Sequence, residues 1–176
     1  IEHIVKISNK KYSFDNGVPH RVIADHLRMV SFSISDGIMP SNEGRGYVVR
    51  RVLRRAARFG RVLGIKQSFI YSLYDTLISI LGDSYPELID KRDYVMKVIK
   101  SEEESFGKTL DRGLIIFEEI CSELNGNQIS GEDVFKLYDT YGFPLDLTQL
   151  LAQEKKISID EVKFHFLMKK QKEKAR

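Results

Sequence analysis

The sequence predicts an all-α fold: a helical bundle of two packed subdomains that includes one long helix. Three observations predict it. Apolar residues recur at three- and four-residue spacing along most of the 176 residues, which marks one buried helix face after another. Gly, Asn and Pro punctuate the chain where that periodicity lapses. The alternation expected of a half-buried strand is missing, apart from a short extended piece near Tyr12 to Phe14.

Taken in order, the first clear helix runs from His20 to Ile34, where Ile23, Leu27, Val30 and Ile34 share a face, and Asp36-Gly37 ends it. The segment Pro40 to Gly46, with Ser, Asn and two glycines, reads as a loop delivering the chain into the next helix. That helix, about Tyr47 to Leu63, buries Val49, Val52, Leu53 and Ala56. Arg50, Arg54, Arg58 and Arg61 fall on another face, flanked by Arg51 and Arg55. A third amphipathic helix, about Ser68 to Leu81, uses Phe69, Leu73, Leu77 and Ile80 and stops at Gly82.

After Pro86 a long helical stretch continues to about Leu124 with Gly107 and Gly113 inside it. Each glycine costs about 1 kcal/mol relative to alanine in a helix, so a kink or a close helix contact is expected there. The turn Asn125-Gly126-Asn127 sets the expected border between subdomains 20–124 and 125–176, with residues 1–19 a separate lead-in. Ser130, with Asp133 three residues on, reads as the N-cap of a helix that ends near Tyr141, at Gly142 before Pro144. Asp146 then opens a short helix through Leu147, Leu150 and Leu151. Ser158-Ile159-Asp160-Glu161 reads as a capping box for a final helix with a basic end, toward Arg176.

Composition narrows the function classes. A lone Cys121 excludes a disulfide scaffold and suggests a reducing, cytoplasmic setting. No apolar run approaches the roughly 20 residues a membrane helix needs, so no membrane partner is expected. The chain begins at Ile1 and is read as a piece of a longer protein. Its net charge of +3 is unevenly spread: residues 20–66 carry ten bases against three acids, and residues 67–160 nine against eighteen. Blocks this unequal suggest a basic face, and such faces usually meet phosphates.

Candidate catalytic groups do not converge by spacing. His3, His20, His26 and His165 show no metal-ligand spacing with one another or with Cys121, and read as surface or packing residues. Gly44-Arg45-Gly46 lacks the Lys-Ser/Thr of a phosphate loop. Glu102-Glu103-Glu104 point three ways on a helix and read as a solvated face. The arginine helix is the stronger signal. Six arginines from Arg50 to Arg61 with no acid among them suit phosphate oxygens, and on charge alone neutralisation by the acidic block is an equal alternative. By local context Asn42 is a helix N-cap and Asp139 a capping or turn carboxylate.

Together, three blocks resemble the alanyl-tRNA synthetase family. They are Arg21-Val22-Ile23-Ala24-Asp25-His26, the run from Asp36-Gly37-Ile38-Met39-Pro40-Ser41-Asn42-Glu43-Gly44-Arg45-Gly46-Tyr47 to Arg50-Arg51, and Leu137-Tyr138-Asp139-Thr140-Tyr141-Gly142-Phe143-Pro144-Leu145-Asp146-Leu147-Thr148. Their order and approximate spacing match, and Glu102-Glu103-Glu104, Phe106 and Thr109-Leu110 join them. The resemblance covers about Arg21 to the C-terminus.

It implies the helical middle region that recognises tRNA, between a class II catalytic domain and an editing domain of the same chain. Residues 1–19 would be the end of, or the connection from, the catalytic domain. The family reads a G·U wobble pair, the third pair of the tRNA(Ala) acceptor stem. The minor groove of A-form RNA is wide and shallow, and the wobble leaves the guanine 2-amino group unpaired there. By carry-over, Asp139 would accept from that group and Asn42 would help bracket the pair. Arg50, Arg51, Arg54, Arg55 and Arg58 would hold the backbone, and Asp146 is a weaker candidate with a plain explanation as an N-cap. The resemblance implies no catalytic residue, metal or cofactor in this segment; ATP, magnesium and an editing-domain zinc would belong to the parent enzyme. Rival readings are a non-discriminating RNA-binding module and a helical protein-interaction domain. A DNA reader is not expected, because the arginine helix offers few base-contacting side chains beyond its charge.

Overall fold

The computed structural model describes residues 1–174, and it is helical almost throughout. The elements are α1 (Glu2–Ser8), α2 (Val18–Ser35), α3 (Gly44–Val62), a 3-10 turn (Ile70–Leu73), α4 (Tyr74–Leu81), α5 (Pro86–Asp90), α6 (Arg92–Ser122), α7 (Gly131–Asp139), α8 (Leu145–Glu154) and α9 (Glu161–Lys174). Two short strands, β1 (Gln128–Ile129) and β2 (Ser158–Ile159), pair in parallel with Gln128 opposite Ser158 and Ile129 opposite Ile159. At two residues each they are too short for periodicity to reveal. Residues 12–14, where an extended piece was expected, form no strand. Among the described residues no helix is long and apolar enough to cross a membrane.

The chain forms two compact units, residues 1–107 and 108 onward. In the first, α2 packs against α3, and Ile23, Val30, Ile34, Val49, Leu53 and Ala56 are buried. Phe69, Ile70, Leu73, Tyr74, Leu88, Val95, Ile99 and Phe106 are buried in the same unit. Tyr74 is fully buried, and its hydroxyl donates to the Leu88 carbonyl at 3.0 Å. His20 is a packing histidine, 3.1 Å from the Lys10 carbonyl, and His3 lies 2.6 Å from the Thr76 hydroxyl.

In the second unit, Phe117, Ile129, Val134, Leu137, Phe143, Leu147 and Phe164 are buried. Gly113 is the close contact expected inside the long helix: a Cβ there would lie 2.0 Å from the Phe143 ring. The division falls within α6, whereas the turn at 125–127 lies inside the second unit. A turn marks where the chain reverses, not where its packing partners change.

Several local expectations are corrected. The helix expected from Ser68 begins as a 3-10 turn at Ile70, and the stretch after Pro86 is broken at Lys91 into α5 and the 31-residue α6. Ser130 does cap α7, accepting from the Asp133 amide at 3.1 Å. The capping box at 158–161 is replaced by Asp160, whose carboxylate accepts from the Lys163 amide at 2.9 Å while Ser158 pairs in β2. Asp146 is not an N-cap either; Pro144 holds that position and Asp146 sits in the first turn of α8.

Candidate nucleic-acid interface

The loop before α3 is shaped by its glycines. Gly44 takes a left-handed conformation, φ 57°. Gly46 admits the chain behind it: a Cβ there would lie 2.1 Å from the Met39 carbonyl oxygen. The Ser41 amide donates to the Gly46 carbonyl at 3.1 Å, and the Ser41 hydroxyl to that of Glu43 at 2.8 Å. Asn42 therefore stands exposed on a closed loop. It does not cap α3, because Glu43 occupies the N-cap position and makes no side-chain cap hydrogen bond. Instead the Asn42 side-chain oxygen accepts from Arg50 Nη1.

Six of the seven arginines of α3 divide into three environments; the seventh, Arg61, donates from Nη1 to the Ile65 carbonyl at 2.9 Å. Arg50 and Arg54 lean on Glu102, whose side chain is only 11% exposed. Arg50 Nη2 donates to Glu102 Oε2 at 3.1 Å, and Arg54 Nε to Oε1 at 3.1 Å. Arg50 Nε also lies 3.0 Å from Oε1 but makes no aligned hydrogen bond, so the contact there is an ion pair only. The Arg54 guanidinium stacks on Phe106, 4.7 Å from the ring centroid. Arg58 is buried, its guanidinium 5.1 Å from the Phe59 ring centroid. Arg51 and Arg55 are exposed, as is Arg45 at the start of the helix.

Glu102 and Glu103 overturn the expected solvated acidic face; of the three, Glu104 alone is exposed. Glu103 accepts from the backbone amides of Phe69 (3.0 Å), Ile70 (3.0 Å) and Tyr71 (3.4 Å), the first donors of the 3-10 turn. Burial pushes its carboxyl up to about 7, against the pull of those amides and of the Arg61 charge. The partners of both acids lie 32 to 52 residues away in sequence, so neither contact has a local signature.

In the second unit Asp139 is the last residue of α7, exposed, with Thr140 as the C-cap. A carboxylate there opposes the helix dipole, an arrangement that typically costs about 0.3–1 kcal/mol. It is no cap; its Oδ1 accepts from Gln171 Nε2. The turn after it is fixed by Gly142 (φ 64°) and by the Phe143 amide, which donates to the Leu137 carbonyl at 2.9 Å. Arg112 stacks over Tyr141, 4.8 Å from its centroid. Gln171 and Arg112 lack any signal in sequence that ties them to Asp139 or Tyr141.

Exposed amide and carboxylate groups on fixed turns, with cations beside one of them, can hydrogen-bond bases and hold phosphates. Among the described residues no cluster of three or more His, Cys, Asp or Glu could hold a metal ion.

The whole chain, residues 1–176, matches the family model of class II (A) tRNA synthetases. It is 52% identical over 180 residues to alanine–tRNA ligase 1 of Lachnoclostridium phytofermentans, covering 99% of this chain and 20% of that protein. To the alanine–tRNA ligase of Alkaliphilus metalliredigens it is 46% identical, over 100% of this chain and 21% of the relative. To that of Methylacidiphilum infernorum it is 52% identical, over 90% and 17%. The chain thus spans about a fifth of the length of these relatives. Matched along its whole length and at about half of its positions, the chain belongs to the alanine–tRNA ligase family of class II tRNA synthetases.

Proposed function

We propose that this chain is the part of an alanine–tRNA ligase that grips the acceptor stem of tRNA(Ala) and reads its G·U wobble pair. The parent enzyme joins alanine to that tRNA in the cytoplasm in an ATP- and magnesium-dependent reaction. The catalytic domain and a zinc-bearing editing domain lie in parts of the parent outside these residues. The whole-length family match supports the parent activity.

The observation that carries the recognition role is the exposed Asp139 at a helix C-terminus, where it works against local stability. As an acceptor-only group it is matched to the guanine 2-amino donor. Asn42, exposed on its glycine-shaped loop, is assigned to the same pair on the strength of the family resemblance. Arg51 and Arg55 supply sequence-independent backbone attraction, with Arg50, Arg54 and Arg58 more deeply engaged in the protein itself.

The test is the affinity of this chain for an acceptor-stem hairpin with G·U at the third pair, against its G·C twin, across a salt series. A steep salt slope with preference for G·U is expected. Steep dependence without preference would favour the non-discriminating RNA-binding module. The pairing of Arg50 and Arg54 with Glu102 supports one element of the protein-interaction reading, that the basic helix is partly neutralised by the acidic block. Absence of RNA binding would favour that reading outright.

A further inference from the structure

We propose that Glu102 is a positioning residue for base-pair selection: through Arg50 it fixes Asn42 as a hydrogen-bond donor toward RNA. This rests on the reading of Asn42 as a contact to the wobble pair. An asparagine amide is ambiguous by itself, since its oxygen accepts and its nitrogen donates, and the two ends are nearly alike in shape. Here the ambiguity is resolved chemically. Arg50 is a guanidinium, which has donors only, so the end of Asn42 that meets it is the oxygen. The NH2 end is left for a partner, and that partner must accept: a base carbonyl, a ring nitrogen or a ribose oxygen.

What holds Arg50 is the carboxylate of Glu102. Glu102 Oε2 receives Arg50 Nη2 at 3.1 Å, Oε1 receives Arg54 Nε at 3.1 Å, and the Arg54 guanidinium also lies over the Phe106 ring, 4.7 Å from its centroid. Arg50 Nη2 also lies 3.5 Å from the Pro40 carbonyl, at the root of the Asn42 loop. One nearly buried carboxylate thus ties two arginines of α3 to the loop that carries Asn42, and it takes both cations partly out of the pool available to phosphates. Removing its charge has two effects of opposite sign. The arginines become freer to bind RNA backbone of any sequence, and Asn42 becomes free to turn its oxygen outward.

That opposition is the test. In the full-length enzyme carrying this chain, binding of the G·U acceptor-stem hairpin and its G·C twin is measured across a salt series for wild type, Glu102→Gln, Glu102→Asp, Asn42→Ala and Asn42→Asp. Glu102→Gln should tighten binding to both hairpins and steepen the salt slope by about one. The same variant should lower the G·U preference by roughly fivefold or more, the size of one lost base contact. Glu102→Asp, which keeps the charge, should retain most of the preference. Asn42→Asp keeps an oxygen for Arg50 but cannot donate, and should match Asn42→Ala.

Glu102→Gln weakening both hairpins alike, with an unchanged or flatter slope, would mean a structural role only and overturn the proposal. So would an unchanged preference in Glu102→Gln where Asn42→Ala abolishes it, or an Asn42→Asp variant that discriminates as wild type does. An unchanged preference in Asn42→Ala would remove the underlying reading of Asn42 together with this one.

Discussion

Glu103 offers the sharpest test of how the arginine helix and its neighbours are held. The carboxylate is 5% exposed and takes the Phe69, Ile70 and Tyr71 amides, donors at the start of the 3-10 turn that no intrahelical carbonyl can satisfy. Glu103→Ala leaves those donors without the carboxylate and opens a cavity. An unsatisfied buried donor costs about 1–3 kcal/mol, so a loss on the order of 3–5 kcal/mol is expected with the weaker Tyr71 contact discounted. Glu103→Gln keeps the shape and mimics the protonated acid, but its NH2 end cannot accept from an amide.

The pH dependence separates these variants further. Burial raises the folded carboxyl from its ordinary 4.5 to about 7. A raised folded pKa means that the native state binds the extra proton between those values, so stability falls as pH rises through that window. The contribution is fully present below about 4.5 and is lost by about 7, with a slope of up to about 1.4 kcal/mol per pH unit and a total on the order of 3 kcal/mol. Urea unfolding monitored by circular dichroism from pH 4.5 to 8 reads this directly. Wild type should lose stability across the window and Glu103→Gln should lose much less. Parallel profiles for the two, or a Glu103→Ala variant within about 1 kcal/mol of wild type at all pH values, would refute both the burial and the capping role of this carboxylate.

Asp139→Ala and Asp139→Asn should both reduce discrimination of G·U from G·C by about 1–3 kcal/mol in a hairpin binding assay while leaving the salt slope nearly unchanged. Arg55→Ala should do the reverse, weakening both hairpins similarly and flattening the slope by about one, because the residue is exposed. Arg54→Ala should instead lower stability by about 1–3 kcal/mol in urea unfolding, since it removes a partner of Glu102 and a cation stacked on Phe106. Gly113→Ala drives a Cβ to 2.0 Å from the Phe143 ring and should cost about 1–3 kcal/mol, or more if the ring cannot shift, by the same unfolding measurement.

What the sequence made legible follows the range of the interaction concerned. The helices around Ile23, Leu27 and Val30, and around Val49 and Leu53, are periodic within themselves and appear where the spacing puts them. Ser130 caps α7 because its partner is three residues away. Two of the readings that needed correction depend on something distant. Ser158 looks like a cap until Gln128 arrives opposite it and the two segments pair as strands, leaving Asp160 to cap α9. Three consecutive glutamates look solvated until Arg50, Arg54 and the amides of residues 69–71 are brought to two of them.

The arginine helix shows why charge counting alone left its role evenly divided. Seven arginines in one helix are a surplus only until their partners are known, and the acid that meets Arg50 and Arg54, Glu102, comes from a helix about fifty residues downstream. Once Glu102 is in place, the helix is not uniform. Arg58 is interior, Arg50 and Arg54 form a braced pair, and Arg51 and Arg55 face outward. A braced arginine contributes less to loose phosphate attraction than an exposed one, but it can hold a neighbour still. Under the proposed function the division of labour between base reading and backbone holding cuts through the helix itself: the same residue type would attract RNA where it is exposed and would orient Asn42 where it is braced by Glu102.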